Sequence, residues 1–382
     1  MRLAVFSTAR VPSRTANSIQ VLKVCQALLD LGHEVRLWLP GPAPQADWPE
    51  LARQYGVRGP MDITWCRAWP LLRRYDYALT SMLQARRWRA DLIYAWPLQT
   101  AALAARLGLP VVLELHELPT GKFGPGLLRA FLRGRGPRRL LPITAALRDL
   151  AAAAYALPTQ PGSVQVAPMG VDLERYQDLP APAEARRRLG WPQDFTIGYT
   201  GHLYAGRGIE LLVEVAVRLP GARFVVIGGE PQAVQTWQVR AREAGAANVH
   251  FLGFMANADL PVCQAACEVL VMPSQRSIAG SSGGDIGQVA SPMKTFEYLA
   301  TGRAIVASDL PVFREVLNSG NAVLLPPDHA AAWVQALENL QQDTVRREQL
   351  GRQARLDAGQ YSWVERERRS LDGLDRGGPH GR

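Results

Sequence analysis

Gly201-His202-Leu203-Tyr204-Ala205-Gly206-Arg207-Gly208 and Ser291-Pro292-Met293-Lys294-Thr295-Phe296-Glu297 each lead into a predicted helix. The N-terminus of a helix presents oriented N–H groups and a partial positive charge, which together favour phosphate. A carboxylate one turn into a helix can accept two ribose hydroxyl hydrogens. The two stretches therefore predict a clamp for a nucleoside diphosphate, in which Arg207 and Lys294 meet phosphate and Glu297 meets ribose.

Short β-branched and aliphatic runs alternate with helical patterns along the whole chain. Apolar residues at three- and four-residue spacing predict helices such as 19–31, 209–219 and 330–340. This alternation is typical of an α/β fold with two doubly wound, Rossmann-like parallel sheets. The predicted strands are 3–7, 34–39, 63–66, 92–95, 111–115, 140–143 and 164–167 in the first half, and 196–199, 223–227, 249–252, 269–272, 304–307 and 322–325 in the second.

A chain of 382 residues is too long for one ordinary core and suits two domains. The Pro/Ala-rich stretch 178–183 predicts the boundary, so we expect one domain over residues 1–178 and another over 179–360. Ligands of doubly wound sheets bind at the carboxyl ends of the strands, and two such domains are expected to face a central cleft. Residues 361–374 predict a C-terminal helix, for which a return to the first domain is one option, and 375–382 predict a disordered tail.

The composition argues against several classes of protein. Hydrophobic residues make up 47% and charged residues 20% of the chain, which is typical of a soluble globular protein. The chain opens on a strand and not on a signal peptide, so we expect a cytoplasmic location. Four cysteines indicate neither a disulfide framework nor a zinc set, and Cys263 and Cys267 predict a core helix face. The net charge of +9 favours anionic partners, but no zinc finger or aromatic RNA-binding strand indicates nucleic acid.

The two opening stretches resemble the signatures of the family 4 glycosyltransferases of the GT-B fold, and the resemblance extends to about residue 374. In that family a Gly-Arg-Leu-x-x-x-Lys-Gly pattern opens the second domain, and its two cations hold the donor diphosphate. Here Gly201 begins the pattern, Arg207 replaces the lysine and His202 replaces the arginine. The resemblance thus implies a clamp that is weaker or pH-sensitive at His202. A tight strand-to-helix turn without a ligand is the alternative.

The second signature of the family is Glu-x7-Glu, whose first glutamate contacts the donor sugar and whose second contacts the ribose. Glu297 matches the ribose glutamate, whereas Val289 stands at the sugar position. Ser291, Pro292 and Lys294 before Glu297 resemble a Ser-Pro-x-Lys-x-x-Glu subgroup. The resemblance implies that Ser291, Lys294 and Glu297 bind the donor, with Lys294 as a compact ammonium for phosphate. A lysine retained by chance is the alternative.

Three further positions are hypotheses of the same kind. Phe254 resembles the family segment that meets the nucleobase, although simple packing would explain it equally well. The glycine-rich residues 279–287 predict a loop that orders over the donor, with a solvated linker as the alternative, and Asp285 could replace the missing acid. His116 follows a buried strand, and Thr at position 120 rules out a His-Glu-x-x-His zinc motif. The resemblance implies that His116 bonds the donor sugar or the acceptor, while a structural histidine is the alternative.

Arginines mixed with leucine and phenylalanine occur at 73–74, 86–89 and 127–139. Such mixtures suit a face that lies on anionic lipid, and an ordinary solvated arginine face is the alternative. Lipid-linked acceptors are common in the family. Peripheral contact with the inner face of a membrane is therefore a hypothesis.

The resemblance implies a retaining, metal-independent transfer of a sugar from a nucleotide-diphosphate sugar to a glycan or lipid-linked hydroxyl acceptor, in polysaccharide or glycolipid synthesis. Residues 1–178 would serve the acceptor and 179–360 the donor, with no metal and no cofactor besides the donor. Arg207, Lys294 and the helix dipoles would neutralise the leaving diphosphate. Two other hypotheses stay open: a nucleotide-sugar epimerase on the same frame, and a catalytically weakened nucleotide-sugar-binding accessory protein.

Overall fold

A computed structural model describes residues 1–72, 74–279 and 285–374. It divides into two compact units, one formed by Met1–Met169 with the chain from Trp363 onward, the other by Gly170–Ser362. This division precedes the Pro/Ala stretch at 178–183, and it groups the last helix with the first unit. The predicted tail at 375–382 lies outside the described residues.

The first unit contains a six-stranded sheet in which every neighbouring pair is parallel. Its order is β3-β2-β1-β4-β5-β6, so the chain winds outward from β1 in both directions. The strands are β1 (Arg2–Phe6), β2 (Glu34–Pro40), β3 (Asp62–Cys66), β4 (Leu92–Ala95), β5 (Val111–Leu115) and β6 (Arg138–Pro142).

The second unit repeats this topology with the order β12-β11-β10-β7-β8-β9, again with parallel pairs. Strands β7 and β11 are buried along their whole length, as expected for a parallel sheet covered on both faces. The predicted fold class, α/β with two Rossmann-like doubly wound sheets, is confirmed. The strands are β7 (Thr196–Thr200), β8 (Arg223–Ile227), β9 (Val249–Gly253), β10 (Val269–Met272), β11 (Ala304–Ser308) and β12 (Val323–Leu325).

The helices connect the strands, and among the described residues none is long and apolar enough to cross a bilayer. In the first unit they are α1 (Ala16–Asp30), α2 (Trp48–Tyr55), α3 (Tyr75–Arg87), α4 (Leu98–Arg106), α5 (Gly124–Leu132), α6 (Ala145–Ala154) and the C-terminal α15 (Trp363–Leu371). In the second they are α7 (Pro182–Leu189), α8 (Ile209–Arg218), α9 (Pro231–Glu243), α10 (Leu260–Ala265), α11 (Met293–Thr301), α12 (Pro311–Arg314), α13 (Ala330–Gln342) and α14 (Thr344–Ala358).

Twelve of the thirteen predicted strands are present, and the segment 164–167 is the exception. It makes a single parallel bridge, between Val164 and Leu140, and does not continue as a strand. The Ala167 amide still donates to the Pro142 carbonyl at 2.9 Å. Pro142 has no N–H to return a bond to this segment, so the ladder stops there.

The segment 127–139, one of the predicted lipid-facing stretches, buries part of its apolar surface. The Leu128 and Phe131 side chains are buried in the first unit, because α5 turns its apolar residues toward the core. Arg139 is buried as well, and its guanidinium donates to the carbonyls of Gly162 and Ser370. Arg73, which belongs to another of the predicted basic clusters, lies outside the described residues.

The core of the second unit leaves no room for a side chain at Gly198 in β7. A Cβ there would lie 2.4 Å from the Cys267 Sγ and 3.1 Å from a methyl of Leu270. Cys263 and Cys267 are both buried, as predicted, but they do not share a helix face, because α10 ends at Ala265 and Cys267 follows it. The glycine is therefore required by close packing between a strand and the segment that leads into β10.

We expect Gly198→Ala to lower the free energy of unfolding by about 1–3 kcal/mol, the usual cost of overpacking. Gly221→Ala is the matched control, because a Cβ at Gly221 would meet nothing within 4 Å. That control should be neutral or slightly stabilising, since alanine restricts the unfolded chain. Urea denaturation of both variants measures the difference, and equal midpoints would contradict the packing argument.

Candidate functional site

The second sheet changes its direction of winding between β7 and β10, which are neighbours in the sheet but far apart in sequence. From β7 the chain proceeds to β8 and β9, whereas β10 leads to β11 and β12 on the other side. In open α/β sheets, ligands bind outside the carboxyl ends of the strands at such a switch point. Both opening stretches of the sequence analysis lie close to it.

A glycine turn follows β7 and packs directly against the segment after β10. Gly206 and Gly208 have φ values of +79° and +80°, a region that side chains other than glycine rarely adopt. A Cβ on Gly208 would lie 1.6 Å from the Pro273 carbonyl oxygen, and one on Gly206 would lie 2.0 Å from the Ser277 carbonyl oxygen. The Gln275 amide donates to the Gly206 carbonyl at 2.8 Å. Only glycine at both positions permits this contact.

The two cations of the predicted clamp lie at this turn. The Lys294 Nζ lies 3.7 Å from the centroid of the Tyr199 ring, and a Cβ on Gly201 would be only 3.0 Å from the same atom. Within the described part of the chain, neither the Lys294 Nζ nor the Arg207 Nε has a hydrogen-bond partner, although both atoms are buried. Buried polar atoms are nearly always paired, so these two require an explanation.

The electrostatics of Lys294 follow from this geometry. Burial is the main cause that lowers the pKa of Lys294 well below its ordinary value, and the charge of Arg207 lowers it further. Glu297 acts in the opposite direction. Lys294, Arg207 and Glu297 therefore form one electrostatic group, as the two sequence stretches predict. A ligand with negative charge would stabilise the ammonium form.

Helices α8 and α11 start beside this group without a capping side chain at the N-cap. The N-cap residues are Gly208 and Pro292, whose side chains offer no hydrogen-bond acceptor to the first turn. Ser291 precedes Pro292 and is partly buried. Helix α11 is fixed to β7 because the Thr200 amide donates to the Tyr298 hydroxyl at 2.7 Å. The start of α11 is thereby held beside the glycine turn.

Glu297 is oriented by two amide side chains that the sequence analysis missed. The Asn257 Nδ2 donates to its Oε1 at 3.5 Å, and the Gln264 Nε2 donates to its Oε2 at 3.4 Å. Asn257 is itself fixed by Arg175, whose guanidinium donates to the amide oxygen at 2.6 Å. Both bonds to Glu297 are long, and a carboxylate can accept further hydrogen bonds. No local signal identifies Asn257 and Gln264, because they come from distant parts of the chain.

The remaining predicted donor residues lie around this group. The His202 ring stacks on the Tyr204 ring, with centroids 4.7 Å apart and an interplanar angle of 3°, and the His202 carbonyl accepts a hydrogen bond from the Tyr199 hydroxyl. Phe254 follows the last residue of β9, and 37% of its surface is exposed. The roles of His202 and Phe254 in binding the donor stay predictions.

Val289 stands at the sequence position of the family's sugar-binding acid, and Asp285 is the residue predicted to replace that acid. Val289 is buried and apolar. The Asp285 Oδ1 accepts hydrogen bonds from the amides of Ile278 and Gly287, at 2.9 and 2.8 Å, and these bonds lower the pKa of Asp285. The Asp285 carboxylate thus bonds to the backbone on both sides of its loop. The tip of the predicted donor-covering loop, residues 280–284, lies outside the described residues.

His116 lies in the first unit, just after the carboxyl end of β5. Its Nε2 is 2.7 Å from the Oε1 of Glu114, a carboxylate with no exposed surface in the middle of a buried strand. Glu114 also accepts hydrogen bonds from the Tyr94 hydroxyl at 2.8 Å and from Gln20. A charged residue inside an apolar run, as in Val111-Val112-Leu113-Glu114-Leu115, is the sequence signal that could have identified Glu114.

Arg366 of α15 lies between two buried carboxylates. Its Nη2 is 3.0 Å from the Glu114 Oε2, and its Nη1 forms an ion pair with Glu367. Burial alone would raise the pKa of Glu114, but the charge of Arg366 and the hydrogen bond from His116 hold it at about 2. Burial and the neighbouring Glu114 raise the pKa of Glu367 to about 7. Arg366 lies beside both carboxylates, but Glu114 stays ionised whereas Glu367 is protonated more easily.

Two family models match the chain and together cover most of it. The model described as "Glycosyltransferase Family 4" matches residues 18–175, and the model described as "Glycosyl transferases group 1" matches residues 194–343. The two matches together support a glycosyltransferase of family 4. The glycosyltransferase domain matched at 194–343 contains the glycine turn, Lys294 and Glu297, and the one matched at 18–175 contains His116.

Relatives with assigned activities cover much of the glycosyltransferase chain. A 2-deoxystreptamine glucosyltransferase of Streptomyces kanamyceticus is 27% identical over 319 residues, which are 73% of this chain and 80% of the relative. A phosphatidyl-myo-inositol mannosyltransferase of Mycolicibacterium smegmatis is 25% identical over 362 residues, which are 90% of this chain and 85% of the relative. These similarities support glycosyl transfer as the activity.

Solved structures share the fold of this glycosyltransferase over nearly its whole length. The Anabaena HepE protein in complex with UDP matches 98% of this chain and 100% of its own, with a TM-score of 0.73 and 18% identity. WaaG, a glycosyltransferase involved in lipopolysaccharide biosynthesis, matches 97% of this chain and 100% of its own, with a TM-score of 0.67 and 15% identity. The expected GT-B fold is thereby confirmed.

The buried Glu367 predicts a pH-dependent stability. An ordinary glutamate has a pKa of about 4.3, so between that pH and about 7 the folded protein holds a proton that the unfolded chain has released. The free energy of unfolding therefore falls as the pH rises through this window. Glu367→Gln cannot ionise, and we expect it to be more stable than the parent above pH 7 by ~1–3 kcal/mol.

This gain should shrink as the pH falls toward about 4.5, because the parent then regains its proton. Glu365→Gln is the control on the same helix, since the Glu365 carboxylate pairs with Arg368 and Arg369 near the surface. Denaturation midpoints across this pH range measure both variants. A constant difference between Glu367→Gln and the parent would contradict the raised pKa.

Proposed function

We propose that this glycosyltransferase moves a sugar from a nucleoside-diphosphate sugar to a hydroxyl acceptor. The observation that carries the proposal is the pair of buried cationic atoms, the Lys294 Nζ and the Arg207 Nε, which lack hydrogen-bond partners in the described residues and lie beside the glycine turn. A diphosphate offers several anionic oxygens to such donors. Structures of HepE hold UDP and UDP-glucose, which supports a nucleotide-linked donor here.

In this proposal the second unit stabilises the leaving group. Negative charge develops on the diphosphate as the bond to the anomeric carbon breaks, and Arg207 and Lys294 lie where they can neutralise it. The starts of α8 and α11 add their partial positive charge. Four positive groups fixed in advance would do what a divalent cation does in other transferases. We therefore propose metal-independent transfer, with Ser291 and Phe254 as further contacts of the donor.

The remaining roles follow the family resemblance. Glu297 would accept hydrogen bonds from the ribose hydroxyls, and His116 would bond a hydroxyl of the donor sugar or of the acceptor. Attack on the face from which the diphosphate departs would retain the configuration at the anomeric carbon. The relatives named for 2-deoxystreptamine and for phosphatidyl-myo-inositol indicate both water-soluble and lipid-linked acceptors. We propose a role in glycolipid, polysaccharide or related glycoconjugate synthesis.

We expect a nucleoside diphosphate to raise the melting temperature without added metal. At ~100-fold over the dissociation constant, the gain in the free energy of unfolding should be about 2.7 kcal/mol. Glu297→Gln should weaken binding by roughly 1.5–3 kcal/mol, the range for hydrogen bonds to a charged group. Thermal shifts and calorimetric titration with UDP, GDP and ADP measure both effects.

Glu214→Gln is the matched control for Glu297→Gln. Its carboxylate pairs with Arg218 on the surface of α8, and it should leave affinity for the diphosphate unchanged. If none of the three diphosphates binds, with or without metal, the proposed donor class is wrong. If one binds but Glu297→Gln behaves like the control, the ribose assignment is wrong.

The first unit exposes an apolar surface that suits the hypothesis of membrane contact. On α3, Tyr75, Leu79 and Leu83 recur at a spacing of four residues and are 45–54% exposed, so they share one face. Such a patch is unusual on a soluble surface. We call it the α3 patch; it consists of Trp69, Leu71, Leu72, Tyr75, Leu79 and Leu83.

Exposed arginines border the α3 patch, among them Arg67, Arg74, Arg86 and Arg87. Apolar side chains next to cations are typical of surfaces that lie on anionic lipid. We propose that the α3 patch rests on the anionic inner face of a membrane and that the protein acts from the cytoplasm. A lipid-linked acceptor could then be reached without a membrane-spanning helix.

We expect the parent to sediment with phosphatidylglycerol vesicles and far less with phosphatidylcholine vesicles. The double variant Leu71→Gln/Leu79→Gln should bind at least about tenfold more weakly, because each buried leucine contributes roughly 1.5–3 kcal/mol. Leu356→Gln is the control, since Leu356 is 72% exposed but lies on α14 in the other unit. Equal sedimentation of the parent, the double variant and the control would contradict a lipid role for the patch.

A further inference from the structure

The imidazole of His116 is held at one of its two nitrogens. The Nε2 lies 2.7 Å from the Glu114 Oε1, while no hydrogen bond to the Nδ1 is found among the described residues. Of the His116 side chain, 30% is exposed, whereas the Glu114 side chain has no exposed surface. The ring therefore has a buried, bonded edge and an edge that solvent or a ligand can reach.

The groups around Glu114 determine whether Glu114 or His116 is the donor of the hydrogen bond between them. The Tyr94 hydroxyl and the Gln20 amide donate to this carboxylate, and the Arg366 guanidinium forms an ion pair with it. Although burial opposes ionisation, the charge of Arg366 and the hydrogen bonds from His116 and Tyr94 keep the pKa of Glu114 at about 2. An ionised carboxylate only accepts hydrogen bonds, so the His116 Nε2 donates to it at 2.7 Å. The Gln20 Nε2 also lies 3.3 Å from this ring nitrogen, but its closer partner is the Glu114 Oε1, to which it donates. In a neutral imidazole, the Nδ1 is then the acceptor.

Several contacts besides the ion pair with Glu114 hold the Arg366 guanidinium in place. Its Nε donates to the Pro168 carbonyl at 2.8 Å, and its Nη2 donates to the Ala167 carbonyl at 3.1 Å. The guanidinium also lies over the Trp363 ring, 5.5 Å from its centroid. The fork geometry of arginine makes each of these contacts directional. Arg366 therefore sets the position of Glu114, and Glu114 sets that of the imidazole.

We propose that Glu114 and Arg366 are positioning residues that hold His116 as the Nε2–H tautomer, with the Nδ1 as a hydrogen-bond acceptor for a substrate hydroxyl. The hydroxyl part of this inference rests on the proposed sugar transfer, whereas the tautomer does not. A sugar hydroxyl is a donor that such a nitrogen can select by direction. Residues from four separate elements, α1, β4, β5 and α15, converge on this one histidine.

A purely structural role is the competing explanation, in which Arg366 only attaches α15 to the first unit. Arg139 allows the two to be separated. It is also buried and also fastens the end of α15, through the carbonyls of Ser370 and Asp372, but its guanidinium contacts are to main-chain carbonyls and not to Glu114. Arg139→Lys therefore perturbs the attachment of the helix without touching the carboxylate that bonds His116.

The test is the ring ¹⁵N spectrum of the histidine-labelled full chain near pH 8, where an ordinary imidazole is neutral. The chain has six histidines, and His116→Gln identifies the signals of His116. We expect the Nε2–H tautomer in the parent. Glu114→Gln can donate from its amide to the Nε2 and should shift His116 toward the Nδ1–H tautomer. Arg366→Lys should give a mixture, and Arg139→Lys should leave the tautomer unchanged.

If Arg366→Lys does not fold, Tyr94→Phe is the substitute, because it removes one donor to Glu114 while keeping the ring. It should also give a mixture of the two His116 tautomers. An unchanged Nε2–H signal in Glu114→Gln would overturn the proposal. It would equally be overturned if Arg139→Lys disturbed the signal as much as Arg366→Lys does.

Turnover and nucleotide binding separate this inference from the proposed function. Glu114→Gln should lower kcat by roughly 10–100-fold, by analogy with the range for residues that orient metal-ligating histidines. Affinity for the nucleoside diphosphate should stay unchanged, because the residues proposed to bind it lie in the other unit. A tautomer change without any diphosphate binding by the parent would mean that the positioning stands and the proposed donor is wrong.

Discussion

The glycine turn after β7 is the constraint on which the candidate site depends. At Gly208 the backbone passes so close to the Pro273 carbonyl that a Cβ would lie 1.6 Å from its oxygen. This contact joins the exits of the two strands at the switch point of the sheet. It places Arg207 immediately before α8 and brings the turn against Lys294, which a Cβ on Gly201 would also meet. A residue larger than glycine at position 208 would push the ends of β7 and β10 apart, and with them Arg207 and Lys294.

The two units treat buried charge in opposite ways. In the first unit, Arg366 is surrounded by carboxylates and carbonyls, so its charge is satisfied within the fold. In the second, the Lys294 Nζ rests on the Tyr199 ring without a hydrogen bond in the described residues. Desolvating an ammonium is costly, and the charge of Glu297 and the cation–π contact offset only part of that cost. The first arrangement fixes a geometry, and the second favours an anionic ligand.

Local patterns were enough to predict most strands, the doubly wound class and the glycine turn, because each depends on nearby residues. The segment 164–167 does not continue as a strand because Pro142 lacks an N–H. In the segment 127–139, Leu128 is buried because of its position on the inner side of α5. Pairings such as Glu114 with Arg366 join residues from distant parts of the chain. Such pairs leave no local trace, since nothing near Glu114 in sequence specifies its partner.

The two charge arrangements also explain why the proposed binding tasks fall to different units. A diphosphate is recognised mainly by charge, and the cations that meet it can remain unsatisfied until the ligand arrives. A sugar hydroxyl is neutral, so it must be recognised by the direction of a hydrogen bond. Direction requires a fixed tautomer, and a fixed tautomer requires a carboxylate that cannot rotate. The buried ion pair around Glu114 supplies that rigidity, because every oxygen of the carboxylate already has a donor.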